Sequence, residues 1–413
     1  MTTTNPGPPP EDAADLPQIG ARAFKTDAQA RYAQLRERGP VHRVRLAGGM
    51  TGWLVVGYDA AREAFTHPAL GKDPSPARAA LEAAGYTSHL PGVGLGGNML
   101  TVDPPEHTRL RRLVAGAFSP RRTAELAPRV QQITDDLLDA VAPLGRTDLV
   151  ESFTGRLPMS VICELLGVPV DRREEFRRWS QQALGNPPGL QRIGAEQLTR
   201  FLAELVAAKR RTPGGDLLSA LVAVHDEDDG GLSDVELLGT AVLLVVAGHD
   251  TTVNLLGNAV RALLTHPEQL QLLKDQPELM PSAVEEFLRY DAPVEITPPR
   301  FAAADLVLGG ARISAGDVVH IALTSVGRDG GARPDELDVA RADSRHLSFG
   351  HGLHHCLGAP LARLEGVIAL GTLLRRLPDL SLAVPADEIE WIPAGITRGP
   401  VALPVRFTPS DTA

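Results

Sequence analysis

The sequence predicts a mainly α-helical protein with small β-sheets, and three observations support this prediction. Between His107 and Leu264, one segment after another places apolar residues at positions i, i+3 and i+4, which is typical of amphipathic helices. From about 234 to 265 the pattern is unbroken, and at 1.5 Å per residue it predicts a central helix about 48 Å long that crosses the molecule. Strand-like alternation is short and confined to residues 41–57 and 294–325.

Composition limits the kind of protein. The chain has 413 residues, of which 43% are hydrophobic, and no linker divides it. We therefore expect one domain over 21–413 behind a flexible tail over 1–20. The net charge of −10 argues against a nucleic-acid surface. Two cysteines, Cys163 and Cys356, are too few for a disulfide framework and suit a reducing cytoplasm.

Export and membrane insertion are not expected. The tail has no charged region followed by an apolar core, so it does not resemble a signal peptide. The longest uncharged apolar run, 237–248, is shorter than the roughly 20 residues that a membrane helix needs. The sequence therefore predicts a cytoplasmic protein with neither a membrane nor a nucleic acid among its partners.

The first half of the chain is predicted to contain a helix, a hairpin, a long loop and a series of helices. A helix is expected around 27–37, where a Gly-Pro pair ends it. Alternation on both sides of a Gly-Gly turn predicts a hairpin over 41–57. Residues 71–97 are rich in Gly, Pro and Ala without periodicity, which indicates a long functional loop. The Pro-Pro break at 185–189 separates two later helices.

The central helix has recognisable ends. Ser233 and Glu236 form a capping box, and Pro267 lies just beyond the last turn. Its middle, 241–247, is apolar on every face and is therefore expected to be buried. The elements expected after it are a helix over 280–290, strands over 294–325, a last amphipathic helix over 359–376 and short terminal strands.

The stretch FGHGLHHCLG (349–358) concentrates reactive side chains. A zinc site would need a second pair of ligands, and Cys163 lies in an apolar helix. A thiol nucleophile could use His354 or His355 as its base, but the glycines would then have no role. A thiolate ligand to haem iron explains more, because glycines allow close approach to a flat macrocycle and the next helix points its N-terminus at the sulfur. From these residues alone, a buried packing cysteine remains an alternative.

The same stretch resembles the haem-ligand signature of the cytochrome P450 superfamily, F-G-x-G-x-H-x-C-x-G, at every fixed position. The resemblance implies the cytochrome P450 fold, with the cysteine loop before the last long helix. It also implies heme b as cofactor, with Cys356 as axial thiolate and metal ligand. His354 would contact a haem propionate, and Phe349 would pack beside the sulfur. His351 and His355 fall on variable positions and are given no role.

A second segment, DPPEHTRLRRL (103–113), places two basic residues on one helix face. His107 and Arg111 are four residues apart, a spacing that suits the binding of a carboxylate. A solvated basic face is an equal alternative from the residues alone. The P450 resemblance implies that this pair binds the haem propionates and that Arg300, in the TPPRF segment, is the third residue to do so.

A third segment, AGHDTT (247–252), brings polar residues into the apolar central helix. Gly248 is costly inside a helix, and Asp250 and Thr251 lie in apolar surroundings, which predicts local opening of the backbone. A buried threonine with a satisfied hydrogen bond is the alternative. The resemblance implies that Ala247 and Gly248 make room for dioxygen, while Asp250 and Thr251 are the catalytic pair that holds and relays protons.

The EEFLRY segment matches the family's E-x-x-R through Glu286 and Arg289. An i, i+3 pair is ordinarily a weak surface contact, whereas the resemblance implies a buried pair that supports the region of the cysteine loop. The family commonly has an arginine as third partner where this chain has Glu336. We expect Arg333 or Arg341 to take its place.

Together these segments imply a haem-thiolate monooxygenase that inserts one oxygen atom from O2 into a C–H bond. The resemblance spans roughly residues 25 to 405 and is strongest to soluble actinobacterial P450s that tailor polyketides, especially macrolides. The expected substrate is therefore a bulky, largely apolar secondary metabolite. Epoxidation, oxidative coupling or peroxide-driven oxidation on the same fold is the alternative, and a non-catalytic haem-binding sensor is a remote one.

The resemblance also implies the electron donor and the substrate-selecting segments. The chain has no room for a flavin domain, which implies a ferredoxin and a ferredoxin reductase as partners. Arg109, Arg112 and Arg363 are expected to contribute to a basic docking patch for the donor. By family topology, the segments expected to select the substrate are the loop 74–97, the surroundings of 185–189, the apolar turn before Ala247, residues 294–297 and Ile396.

Overall fold

The structure, a computed structural model, describes residues 16–46, 49–83, 98–118, 120–183, 189–225 and 231–410. These residues form sixteen α-helices and ten short β-strands, which agrees with the predicted mainly helical class. The helices are α1 (Arg22–Thr26), α2 (Ala28–Arg38), α3 (Tyr58–Thr66), α4 (Arg78–Ala83), α5 (Glu106–Ala115), α6 (Pro120–Glu125), α7 (Ala127–Val141), α8 (Leu157–Leu166), α9 (Arg173–Ala183), α10 (Gln191–Arg211), α11 (Leu217–His225), α12 (Asp234–Thr265), α13 (Pro267–Asp275), α14 (Met280–Tyr290), α15 (Leu323–Val326) and α16 (Ala359–Arg376). The strands are β1 (Val41–Arg45), β2 (Thr51–Val55), β3 (Leu70–Gly71), β4 (Arg146–Asp148), β5 (Arg300–Ala302), β6 (Leu306–Leu308), β7 (Ala311–Ile313), β8 (Val318–Ile321), β9 (Ser381–Leu382) and β10 (Pro404–Arg406).

Helix α12 is the predicted central helix. The Ser233 hydroxyl accepts from the Glu236 N–H, and the Glu236 carboxylate accepts from the Ser233 N–H, which completes the capping box. Helices α8, α10, α14 and α16 pack around α12. By length and composition α12 could also cross a membrane, but half of its apolar window is buried inside the protein. The helix continues through Gly248, where the sequence predicts local opening of the backbone.

The largest sheet joins strands from residues 41–71 with strands from residues 300–321. Its five strands follow the order β1-β2-β8-β5-β3, in which β1 and β2 form the predicted antiparallel hairpin and β2 pairs with β8 in parallel. The indole N–H of Trp53 on β2 donates to Asp317, 264 positions away and next to β8. Two smaller sheets have the orders β4-β10-β9 and β6-β7.

Two buried apolar clusters meet along α12 and set the position of the cysteine loop. One includes buried residues of α7, α14, α16 and the second half of α12, and the other includes residues of α5, α8, α10, α11 and the first half of α12. Leu357, which directly follows Cys356, packs with Leu244 of α12 against the second cluster. The cysteine loop and α12 thereby pack against the same apolar cluster.

The predicted tail over 1–20 lies mostly outside the described residues, but residues 16–20 are packed on the protein. Leu16 and Ile19 are buried, and the Ile19 N–H donates to the carbonyl of Arg45 at the end of β1. Two apolar side chains therefore attach residues 16–20 to the sheet, while the domain boundary at residue 20 stays a prediction.

The predicted long loop over 71–97 is only partly described, since 84–97 lie outside the described residues. Within the described part, residues 75–77 form a 3₁₀ turn that continues into α4. The segment Arg78–Ala83 contains alanine, leucine and glutamate, which are strong helix formers, and it is helical despite the neighbouring prolines. Of the predicted break at 185–189, only Gly189 is described.

Candidate functional site

One face of α12 is accessible although the helix crosses the middle of the protein. Ala247 is exposed, and Leu244, Gly248 and Thr251 are partly exposed, whereas Thr252 is buried. Residues three and four apart share one helix face, so these accessible positions form a single stripe. The stripe therefore lines a cleft, and it contains three of the four residues that the sequence assigned to oxygen and proton handling.

The hydroxyl of Thr251 is already engaged as a donor. Its Oγ1 donates to the carbonyl of Ala247 at 2.8 Å, four residues back along α12, and its lone pairs stay free to accept. Thr252 makes the same kind of bond to Gly248 at 3.2 Å. A Cβ placed at Gly248 would lie 3.2 Å from Ile162 on α8, so close helix packing is one reason for glycine there.

The cysteine loop depends on two glycines for its backbone conformation. Gly350 and Gly352 both have φ of 73°, a region that side-chain-bearing residues rarely adopt. The Cys356 N–H donates to the Phe349 carbonyl at 2.9 Å, which closes the loop before α16 begins. A Cβ at Gly358 would lie 3.8 Å from the sulfur, an ordinary contact distance. The left-handed backbone conformation therefore favours glycine at positions 350 and 352, independently of the space that a bound macrocycle would need.

Cys356 is exposed as a residue, although many protein atoms surround its thiol. Burial raises the pKa of the thiol, while N–H groups of Gly358 and Ala359 at the start of α16, and the charges of Arg111 and Arg363, act in the opposite direction. These groups would stabilise a thiolate, and iron would supply the remaining compensation. Cys163 contrasts with it, because burial inside α8 raises its pKa to about 12.

Basic side chains converge beside the cysteine loop, and we call them the cationic cluster: Lys72, His107, Arg111, Arg300 and His354. The rings of His107 and His354 are 4.1 Å apart between centroids. Arg111 donates to the carbonyl of His355 at 2.6 Å, which ties α5 to the loop. Burial, followed by the charges of the other cluster members, lowers the pKa of His354 to about 3. The structure thus brings the four predicted propionate-binding residues together.

Several buried nitrogens of this cluster have no hydrogen-bond partner among the described residues. They are both ring nitrogens of His107, Nε2 of His354 and Nε of Arg300. Burial also lowers the pKa of Arg300 to about 10. Buried polar groups without partners are costly, and buried positive charges need a counter-charge. The propionates of a haem would supply both acceptors and negative charge, so the residues present fit this cofactor.

Lys72 is the cluster member that the sequence analysis missed. Its ammonium group is buried and donates to the carbonyls of Pro298 and Pro299 at 3.2 and 2.9 Å. Burial, together with the charge of Arg300, lowers its pKa to about 7, whereas Asp103 acts in the opposite direction. Asp103 also accepts from the N–H of Lys72 at 2.8 Å. A lone lysine in a Gly-Lys-Asp-Pro turn belongs to no motif, so nothing local pointed to it.

Glu286 is the centre of a buried network between α14 and the segment before the cysteine loop. Its carboxylate, fully buried, accepts from Arg289 at 2.7 and 2.8 Å and from the Asp338 N–H at 2.9 Å. Arg289 in turn donates to the carbonyls of Gly327 and Pro334. The pair is therefore buried and bonded to the surrounding backbone, unlike an ordinary surface pair.

The third partner of this pair is Arg341. Its Nε lies 3.2 and 3.1 Å from the two Glu286 oxygens, and its remaining nitrogens donate to carbonyls that include that of Glu336. Arg333, the other candidate, is 63% exposed and pairs with the Glu336 side chain at the surface. Glu336 thus contributes its backbone rather than its side chain to the network.

The three arginines expected to form a docking patch are not equivalent. Arg363 forms two hydrogen bonds to Glu285 at 2.6 and 2.8 Å, and His346 lies 3.0 Å from the same carboxylate, whose pKa falls to about 2. Arg109 pairs with carboxylates of α5 and α12, and Arg112 is exposed. The patch remains a prediction, and two of its charges are partly neutralised.

Known proteins resemble this chain over nearly its whole length. The sequence model of the family described as Cytochrome P450 matches residues 191–381. The chain is 46% identical to cytochrome P450 monooxygenase PikC of Streptomyces venezuelae over 95% of this chain and 94% of the relative. It is 43% identical to 6-deoxyerythronolide B hydroxylase of Saccharopolyspora erythraea over 95% and 99%, respectively. The tirandamycin C-bound P450 monooxygenase TamI superposes with a TM-score of 0.87 at 39% identity, covering 95% of this chain and 100% of that one.

Proposed function

Because the chain belongs to the cytochrome P450 family and is a heme b monooxygenase with a cysteine thiolate ligand, we propose that it hydroxylates a macrolide or related polyketide in the cytoplasm. The observation that carries this proposal is its similarity to 6-deoxyerythronolide B hydroxylase, which extends over both chains almost completely. A bulky, largely apolar substrate also suits the small side chains on the accessible face of α12.

The residues around the cofactor have separate proposed roles. We assign Cys356 as the axial thiolate, supported by the N–H groups that face its sulfur and by Phe349, whose carbonyl fixes the loop. His107, Arg111, Arg300 and His354 are proposed to hold the propionates, which is supported by their unpartnered buried nitrogens. When bound, the haem supplies the activation of dioxygen.

Asp250 and Thr251 are proposed to control protons, with Ala247 and Gly248 leaving space beside them. The Thr251 hydroxyl gives its hydrogen to Ala247, so its oxygen can accept a hydrogen bond from a group in the cleft. The Asp250 side chain is 36% exposed and can form hydrogen bonds with water. The pair therefore places an accessible carboxylate next to the hydroxyl on the accessible face of α12.

Thr251→Ala is expected to uncouple electron consumption from product formation by about tenfold, because the group that orients proton delivery is lost. Product and hydrogen peroxide formed per NADPH measure this effect. Thr252→Ala is the matched control, since Thr252 makes the same backbone bond but is buried away from the accessible face. Unchanged coupling in Thr251→Ala, or an equal loss in both variants, would count against the assigned role.

The substrate class is tested by the spin-state change of the haem on ligand addition. We expect macrolides to shift the Soret band at micromolar concentration, and turnover with a ferredoxin and ferredoxin reductase to add one oxygen atom. NMR of the product separates hydroxylation from epoxidation. Turnover with hydrogen peroxide alone, at the same rate, would favour the peroxide-driven alternative. Spectral shifts with no macrolide in the panel would remove support for this substrate class.

A further inference from the structure

The turn that carries Ile396 is bound by a lysine from near the start of the sequence. Residues 394–396 are exposed, whereas the side chain of Lys25 on α1 is only 2% exposed. Its ammonium group donates to the carbonyl of Ala394 at 3.3 Å and to that of Thr397. These two carbonyls flank Ile396 in sequence. One buried group therefore bridges both arms of the segment, which we call the 394–397 turn.

The same turn is also bound by the segment that precedes β5. The N–H groups of Glu295 and Ile296 both donate to the Ile396 carbonyl, at 2.8 and 3.2 Å. The Glu295 carboxylate is buried, lies 3.7 Å from the Lys25 ammonium and accepts from the Tyr32 hydroxyl at 2.8 Å. Burial lowers the pKa of Lys25, and the charge of Glu295 acts in the opposite direction. A buried ion pair thus connects the two segments that are expected to select the substrate.

A second buried ion pair fixes the chain just after the turn. Arg398 donates to the Asp291 carboxylate at 2.8 Å and to the carbonyl of Lys25 at 3.1 Å. The side-chain amide of Asn258, on α12, donates to the carbonyls of both Asp291 and Arg398. These bonds connect α1, α12 and the 394–397 turn through two basic and two acidic side chains.

The turn lies close to the accessible face of α12. Asn254 is three residues beyond Thr251 and continues the same helix face. A Cβ at Gly399 would overlap the Asn254 side chain, so the backbone of Gly399 packs directly on this face. Ile396 precedes Gly399 by three residues, a span of at most about 11 Å. The 36% exposed Ile396 is therefore near the end of the cleft that α12 lines.

We propose that Lys25 is a positioning residue for substrate specificity, whose ammonium group fixes the 394–397 turn, and with it Ile396, beside the cleft. The inference deepens the proposed function and rests on the expected role of residues 294–297 and Ile396 in substrate selection. Burying ionic groups is costly, but a network in which they bond to one another and to the backbone favours one arrangement of the chain. Residues 394–396 bury no side chain that could replace the bonds from Lys25.

Lys25→Met keeps an unbranched side chain and removes its donors. We expect it to weaken the binding of clotrimazole, a bulky azole that ligates haem iron, about tenfold, because the loosened turn must be ordered when the ligand fills the cleft. Imidazole, which ligates iron without filling the cleft, should bind as it does to the wild type. Difference spectra of the holoenzyme give both dissociation constants. An equal change for the two ligands, or no change, would overturn the proposal.

Two further variants separate positioning from loss of folding and from charge. Lys25→Met/Glu295→Gln leaves no unpaired buried charge, so it should unfold near the wild-type temperature and still bind clotrimazole more weakly. Arg22→Met is the matched control, because Arg22 is another cation of α1 but is 71% exposed and pairs with Glu390 at the surface. Equally weak clotrimazole binding in Arg22→Met would refute a specific role of the buried ammonium.

Hydrogen exchange of the holoenzyme tests the position of the turn without any ligand. In Lys25→Met we expect faster exchange in peptides covering 391–400, where the Arg398 N–H is bonded to the Pro293 carbonyl, and unchanged exchange in the cysteine loop. Wild-type exchange over 391–400 would contradict the positioning role. If macrolides cause no spectral shift while clotrimazole binding and exchange both change as expected, the proposed substrate class is wrong and the role of Lys25 stands.

Discussion

Cys356→Ser is expected to abolish monooxygenase turnover and to remove the strongly red-shifted Soret band of the reduced carbon monoxide complex. The thiolate is the proposed iron ligand, and a serine hydroxyl cannot supply an equivalent anionic sulfur. No second thiol can replace it, because Cys163 is 1% exposed within α8 and burial raises its pKa to about 12. Absorption spectroscopy of the purified variant, reduced and saturated with carbon monoxide, measures the loss.

Cys163→Ala is the matched control for that experiment. It removes the other thiol, and its cost should be limited to packing inside the helical cluster, so the red-shifted band should persist. A normal band in Cys356→Ser, or its loss in Cys163→Ala, would show that the cysteine loop does not carry the ligand.

Glu286→Gln is expected to lower the free energy of unfolding by about 3–5 kcal/mol, because it leaves Arg289 and Arg341 buried without their counter-charge. The network connects α14 to the backbone that leads into the cysteine loop, so haem content should fall as well. Urea unfolding followed in parallel by far-UV circular dichroism and haem absorbance measures both effects.

Two arginine variants test how this network is built. Arg341→Ala removes buried donors to a charged group and should cost about 1.5–3 kcal/mol. Arg333→Ala removes ion pairs of an exposed side chain with Glu336 and Asp338 and should change stability by less than about 1 kcal/mol. A larger cost for Arg333→Ala than for Arg341→Ala would reverse the assignment of the third partner.

The elements that the sequence predicted well are those with local causes. The start of α12 depends on Ser233 and Glu236, which are three residues apart, and its end depends on the proline that follows. The hairpin over 41–57 likewise follows from alternation on both sides of a short turn. His107 and Arg111 share a helix face because of their spacing, but only the family resemblance connected them with Arg300 and His354. That connection spans nearly 250 positions, which no local pattern encodes.

The features that the sequence left open or did not indicate have the opposite character. Whether Arg333 or Arg341 reaches Glu286 depends on the path of an irregular segment, and both arginines look alike in sequence. Lys72 belongs to the cationic cluster only because the fold brings Arg300 to the carbonyl of Leu70, 230 positions away. Arg363 looked available for a partner, and Glu285 on a different helix engages it. Each outcome depends on a contact between distant parts of the chain.

The parallel pairing of β2 with β8 has a consequence for how the protein is made. The strand contributed by residues 51–55 cannot gain its neighbour until residues 318–321 have been synthesised and released from the ribosome. At about 5–20 residues per second, translation of the intervening chain takes roughly 10–50 s. During that interval the β2 edge of the nascent hairpin lacks its neighbour, and the pairing that supplies it joins distant parts of the chain. This sheet therefore cannot be completed before residue 321 has been synthesised, and chaperones that cover strand edges would act on the first sixty residues of the chain until then.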